Sequence, residues 1–101
     1  MNFGLPERIL QAIIEKLEEK ESVTRAVIFG SRTRGDYAYN SDIDLAVYCE
    51  GELPAGLRLD LDEAAGIHKI DVIDMNDPLD DTLRQSIKEQ GVEIYRRDWI
   101  A

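Results

Sequence analysis

The sequence predicts an α/β domain: helices packed on a mixed β-sheet, in the order α-β-α-β-α-β-α-β. Three observations predict it. An apolar stripe at helical spacing opens the chain, with Leu5, Ile9, Ile13 and Leu17 four residues apart. Short runs rich in β-branched residues then recur, such as Ala26-Val27-Ile28-Phe29 and Ile70-Asp71-Val72-Ile73. The stretches between these runs differ in length. The first is a short polar connection, which favours antiparallel pairing, and the second is a helix-length crossover, which favours parallel pairing. The length of 101 residues fits a single domain, 1–101.

Each element has its own signal. Residues 6–20 read as an amphipathic helix, with Leu10 and Ile14 widening the stripe and Pro6 in the first turn. Residues 25–29 form a buried strand ended by Gly30. Residues 31–40 are polar, contain Gly35 and hold at most one helical turn. A second strand spans 42–49, with Ile43, Leu45 and Val47 on one face and Asp42, Asp44, Ala46 and Tyr48 on the other. Residues 53–65 fit both periods, since Leu57, Leu59 and Leu61 alternate while Leu57, Leu61, Ala64 and Ala65 follow a helix. The helix is the reading adopted, although Gly56 weakens it. A third strand covers 69–74. Asp77 is expected to cap the last helix, with Pro78 at its first position, Leu79, Leu83 and Ile87 inside, and Gly91 as its stop. Residues 92–96 close the sheet.

Composition narrows the function. With 12 Lys+Arg against 21 Asp+Glu, the formal charge is -9. Direct nucleic-acid binding is not expected, because it relies on basic side chains at phosphates. Most of the acidity is solvated surface, as in Glu15, Glu18, Glu19 and Glu21; the remainder fits a basic partner or a metal site. The longest apolar runs are too short for a bilayer, and the amphipathic, acidic start does not read as a signal peptide. The cytoplasm is the expected location. Cys49 has no second cysteine to pair with and reads as a core thiol.

The chemistry gathers around Asp42-Ile43-Asp44. Alternate residues of a strand share a face about 6.6 Å apart. Two carboxylates so placed can hold hard cations, and two Mg²⁺ ions about 3.5–4 Å apart serve in-line nucleotidyl transfer. By itself an Asp-x-Asp is weak and more often two solvated acids. Gly30-Ser31 after the first strand lets backbone amides and a hydroxyl approach an anion, though it too is more often an ordinary turn. Antiparallel pairing of the first two strands joins these signals, because it brings Gly30 and Ser31 beside Asp42 and Asp44. A third carboxylate is expected from the third strand. Parallel pairing favours Asp71, near the strand's start, over its competitor Asp74.

Gly30-Ser31-Arg32-Thr33-Arg34-Gly35, followed by Asn40-Ser41-Asp42-Ile43-Asp44-Leu45, resembles the signature of the DNA polymerase β-like nucleotidyltransferase superfamily. Ile70-Asp71-Val72-Ile73-Asp74 is similar to its later single-carboxylate motif. The short chain and the Gly-Ser-Arg-x-Arg-Gly form resemble the minimal branch, MNT, whose members are commonly antitoxins paired with a HEPN-family ribonuclease toxin. The resemblance implies a polymerase β-like fold and a nucleotidyltransferase using Mg²⁺, with two ions, and ATP as donor. It also implies a HEPN toxin as partner and a tyrosine of that toxin as acceptor of AMP. Residue by residue, Gly30 and Ser31 match the triphosphate motif, and Asp42 and Asp44 the paired metal ligands. Asp71 matches the third metal-binding, catalytic carboxylate. Arg32, Arg34 and Gly35 match the branch's extended loop. Arg34 reads equally as a nucleotide or partner contact and as a surface ion pair with Asp36 or Asp42.

Other candidates take plain roles. His68 flanks the third strand, Tyr37 and Tyr39 pack in the motif loop, and Trp99 packs on the sheet or belongs to an interface. Two alternatives to protein adenylylation stand. One is an antitoxin that masks a basic toxin without catalysis; the other is transfer to a small-molecule acceptor.

Overall fold

The computed structural model describes residues 3–38 and 41–97. Its elements are α1 (Glu7–Glu18), β1 (Val23–Phe29), α2 (Ser31–Arg34), β2 (Ile43–Cys49), α3 (Leu57–Ala65), β3 (Ile70–Asp74), α4 (Asp81–Gln90) and β4 (Val92–Arg96). The sheet order is β3-β2-β1-β4. β1 is antiparallel to both β2 and β4, while β2 and β3 are parallel. This is the mixed sheet that the connection lengths require.

Strand alternation sorts the apolar residues onto two faces. On one face Ala26, Ile28, Ile43, Leu45, Val47, Ile70 and Val72 join Ile9, Ile13 and Leu17 of α1 and Leu57, Leu61 and Ala65 of α3. On the other, Val27, Phe29 and Ala46 meet Ile87 of α4, with Tyr48, Ile73, Leu79 and Leu83 around them. The face carrying Asp44, Ala46 and Tyr48 is therefore the α4 side of the sheet.

Several boundaries differ from the sequence expectation. Pro6 is the cap of α1 rather than part of its first turn, and its carbonyl accepts from the amides of Ile9 and Leu10 at 3.0 and 3.2 Å. α3 starts at Leu57 because Gly56, at φ +82, turns the chain just before it. The helical period wins over alternation there: Leu57 and Leu61 are buried while Leu59 is 62% exposed. Asp77 does not cap α4. Its amide is tied back to the Asp74 carbonyl in a turn, and Pro78 and Leu79 precede the helix. Asp80 is the cap, its extended backbone letting its carboxylate accept from the Leu83 amide at 2.7 Å. Cys49 is half-buried at the rim of the core, and its thiol is pushed up to about 11 by burial and then by the nearby Asp74. No helix among the described residues is long and apolar enough to cross a membrane.

α4 ends where the backbone of Gly91 becomes extended, and no room is left there for a side chain. A Cβ there would collide with the Ile87 carbonyl oxygen and with a Val27 methyl. Gly91→Ala should therefore lower stability by about 1–3 kcal/mol, the usual cost of overpacking, as read from a urea denaturation midpoint. An unchanged midpoint would mean that the α4–β4 junction shifts freely.

Candidate functional site

Hydrogen-bond register assembles the site. Asp44 of β2 is the Cα partner of Phe29 on one side and of Asp71 on the other. Gly30 follows Phe29 directly. Its φ of +83 suits glycine, and any Cβ at that position would run into the Asp44 carboxylate. Gly30 is thus in contact with Asp44, and only a hydrogen side chain leaves the acid where it stands. The chain then makes one short helix, α2, whose amides at Thr33 and Arg34 bond back to the Gly30 carbonyl at 3.1 Å each. The Thr33 hydroxyl also donates to that carbonyl, at 2.9 Å. Gly35, at φ +88, closes the turn.

Arg32 had no special place in the sequence reading beyond the motif loop, yet it is buried, at 2% exposure. Its guanidinium donates to the Phe3 carbonyl at 2.9 Å and to the Ser41 carbonyl at 2.8 Å. It also lies 5.3 Å from the centre of the Tyr37 ring. That ring rests in turn on Gly4, where a Cβ would overlap it. Tyr37 therefore packs the loop, as expected. Tyr39, Asn40 and Trp99 lie outside the described residues. No spacing rule flags Arg32, because it sits among polar residues that all read as surface.

The three candidate carboxylates do not stand alike. Asp44 and Asp71 are half-buried neighbours across the β2–β3 ladder. Asp42 precedes β2 and faces Lys69 at 3.9 Å, in a solvent-exposed pair of little energetic weight. Asp74 pairs with Val47, three residues further along the ladder, and accepts from the Asn76 amide at 2.9 Å. Burial raises the pKa of Asp44, and the negative charges of Asp71 and Asp42 raise it further; Arg34 opposes them. Arg34 itself donates to Asp36 at 3.3 Å and to Gln90 of α4 at 3.2 Å. Its ion pair is therefore with Asp36, not Asp42.

Carboxylate oxygens are the donors Mg²⁺ takes, and the crowded charge at Asp44 is what a cation relieves. Among the described residues, however, no three His, Cys, Asp or Glu side chains are gathered as a ready ligand set. The donors fit in kind and in strand position. Beside them an open cleft of about 610 Å³ runs over the β3 edge, lined by Phe29, Asp44 and Asp71, by Leu59 of α3 and by Leu83 of α4. His68 is half-buried in the α3–β3 turn, where its amide bonds the Ala65 carbonyl at 3.1 Å.

The family model described as polymerase beta, nucleotidyltransferase, matches residues 11–99. A search of curated proteins finds no match. Several solved structures share the fold. A chain from a toxin–antitoxin structure solved with AMP-PNP is 26% identical, with a TM-score of 0.71, over 87% of this chain and 73% of that one. A chain from the toxin–antitoxin MntA-HepT is 23% identical, with a TM-score of 0.68, over 91% and 74%. A chain from the tri-AMPylated Shewanella oneidensis HEPN toxin in complex with MNT antitoxin is 22% identical, with a TM-score of 0.66, over 90% and 72%.

Two outcomes follow from this geometry. Arg32→Ala should cost about 3 kcal/mol or more, since the charge-assisted hydrogen bonds to Phe3 and Ser41 are lost and a buried and a half-buried carbonyl lose their guanidinium donor. A chemical denaturation curve matching the wild type would show that Phe3 and Ser41 do not depend on it. Asp44→Asn should stabilise the metal-free chain at neutral pH, because it removes a half-buried charge repelled by two others. The sign follows from the raised pKa: stability tied to Asp44 is present below its ordinary value of 3.8 and is lost as pH rises through the folded value. The gain from Asn should thus shrink as the pH is lowered, in thermal melts taken across the acid range. A gain that is constant with pH would assign it to something other than charge.

Proposed function

The chain belongs to the polymerase β nucleotidyltransferase family, and we propose that it transfers AMP from ATP, with Mg²⁺, to a tyrosine hydroxyl of a HEPN-type toxin partner. The observation that carries the reading is the contact of Gly30 with Asp44, itself next to Asp71 in the sheet. It sets a small-residue turn, suited to a triphosphate, against a crowded pair of acids. The likeness to a toxin–antitoxin structure solved with AMP-PNP supports the nucleotide and the kind of partner. The fold likeness to the chain from the AMPylated-toxin complex suggests a HEPN toxin as what receives AMP, and the tyrosine rests on the resemblance in sequence.

In this reading Asp42, Asp44 and Asp71 hold metal. Mg²⁺, when bound, would neutralise the triphosphate and lower the pKa of the acceptor hydroxyl. Gly30 leaves room for phosphate oxygens, the Ser31 hydroxyl and the amides of Ser31 and Arg32 at the start of α2 bind them, and Arg34 adds positive charge from across the turn. Asp71, beside Asp44, draws the proton of the phenol. The phenolic oxygen bonds to the α-phosphorus as the bond to the β-phosphate oxygen breaks, and pyrophosphate leaves. Catalysis then rests on positioning and charge compensation, which need no cysteine or histidine nucleophile. The acidic surface would speed encounter with a basic ribonuclease.

A second reading, masking of the toxin without transfer, is favoured by one observation: the carboxylates do not already converge on a common point. The test is intact-mass measurement of the co-purified partner after incubation with ATP and Mg²⁺. One or more adenylyl units should be added by the wild type and none by Asp44→Asn, a loss of at least about a thousandfold in rate. If Asp42→Asn/Asp44→Asn still protects cells from the toxin and the toxin's mass never changes, masking is the mechanism.

A further inference from the structure

The carboxylates occupy one end of the sheet's α4 face, and positive charge collects at the other. Arg25 pairs with Tyr48 across β1 and β2, and Phe29 with Asp44. The two pairs lie four residue steps apart along the strand, roughly 13 Å. At the Arg25 end a cavity of about 360 Å³ opens between the sheet and α4. Val27 and Ile87 give it apolar walls, and Tyr48 and Met75 add a phenol ring and a thioether. Three cations border it: Arg25, Arg84 and Lys88.

These cations differ in what already holds them. Arg25 lies 5.0 Å from the centre of the Tyr48 ring and donates to Glu93 at 2.6 Å, so its charge is fixed and largely compensated. Arg84 and Lys88, one turn apart on α4, make no side-chain hydrogen bond or ion pair among the described residues. In a chain of formal charge -9, two uncompensated cations at the rim of one aromatic-walled cavity are a local reversal of sign. An anion would find charge-assisted donors there, and a planar ring would find apolar and aromatic walls. The volume lies within the range of small-ligand pockets.

We propose that this cavity is a second ligand site, separate from the carboxylate cleft, for a mononucleotide-class anion. Arg84 and Lys88 take its phosphate, and the base rests in the cavity against Tyr48 and Met75. The site uses no metal and does not depend on the transfer reaction.

Chelation separates the two sites in an experiment on the full chain. AMP, ribose 5-phosphate and inorganic phosphate are titrated in EDTA, with backbone amide shifts and calorimetry as readouts. AMP should bind saturably and move the amides of Val27, Tyr48 and Ile87 rather than those of Gly30 and Asp44. Arg84→Ala/Lys88→Ala, two exposed changes, should weaken it about tenfold or more. AMP should bind more tightly than ribose 5-phosphate, and Tyr48→Leu should erase that preference. The proposal fails if AMP does not bind in EDTA, as it would not were an acidic protein segment the true occupant. It also fails if the double variant binds AMP unchanged, if the shifts centre on Asp44, or if the three probes bind equally.

Discussion

A guanidinium withdrawn from water holds the carboxylate end of the sheet together. Burying a charge costs a great deal unless its donors are met, and Arg32 meets carbonyls from two distant stretches, the N-terminal segment at Phe3 and the entry to β2 at Ser41. Ser41 is the residue before Asp42, so the Arg32 fork fixes where the first acid of the Asp-x-Asp leaves the loop. Tyr37, stacked between Arg32 and Gly4, seals the same junction. A lysine could not reproduce this, since a point charge on a flexible stem does not present two donors in a rigid fork. The loop that would cradle phosphates is thereby anchored from beneath rather than by its own exposed contacts.

Asp44 shows the opposite economy. Its carboxylate is crowded by burial and by two neighbours of like charge, and among the described residues only partial relief comes from Arg34. Stability gains nothing from this arrangement in the absence of a cation. Structural sites seldom keep such a group, whereas sites that bind cations or move protons commonly do. The same reasoning sets Asp44 apart from Asp42, which stands at the surface with Lys69 as an ordinary weak pair.

Much of the fold was legible because binary patterns and connection lengths carry it. The alternation in β2 assigned Asp44 and Ala46 to one face and Leu45 and Val47 to the other, and the crossover length gave the parallel β2–β3 pairing that sets Asp71 opposite Asp44. The error at α4 arose between two aspartates three residues apart, each a chemically adequate cap. Asp80 is the one whose extended backbone lets its carboxylate reach the amide of Leu83 three residues on, while Asp77 stands in the turn that follows β3. The burial of Arg32 was illegible for a related reason: its partners are carbonyls at Phe3 and Ser41, and backbone acceptors leave no mark in composition. The cation-rimmed cavity combines Arg25 from β1 with Arg84 and Lys88 from α4, residues that only the β1–α4 packing brings together.

The strand order also bears on how the chain reaches this state. β1 and β2 are joined by the short α2 connection, so Gly30 and Asp44 can meet at a small loop-closure cost. β3 must wait for the whole α3 crossover, and β4, which pairs with β1 as Ile28 with Val92, closes a far longer loop. The turn and the first acids thus belong to the local part of the topology, while Asp71 and the α4 cavity belong to its non-local part. A nascent chain released from the ribosome only through β2 would already hold the Gly30 turn with Asp42 and Asp44, but neither Asp71, the other acid that crowds Asp44, nor the helix that supplies Arg84 and Lys88. The three acids can meet only once β3 has been made, and the cation-rimmed cavity only once α4 has followed it.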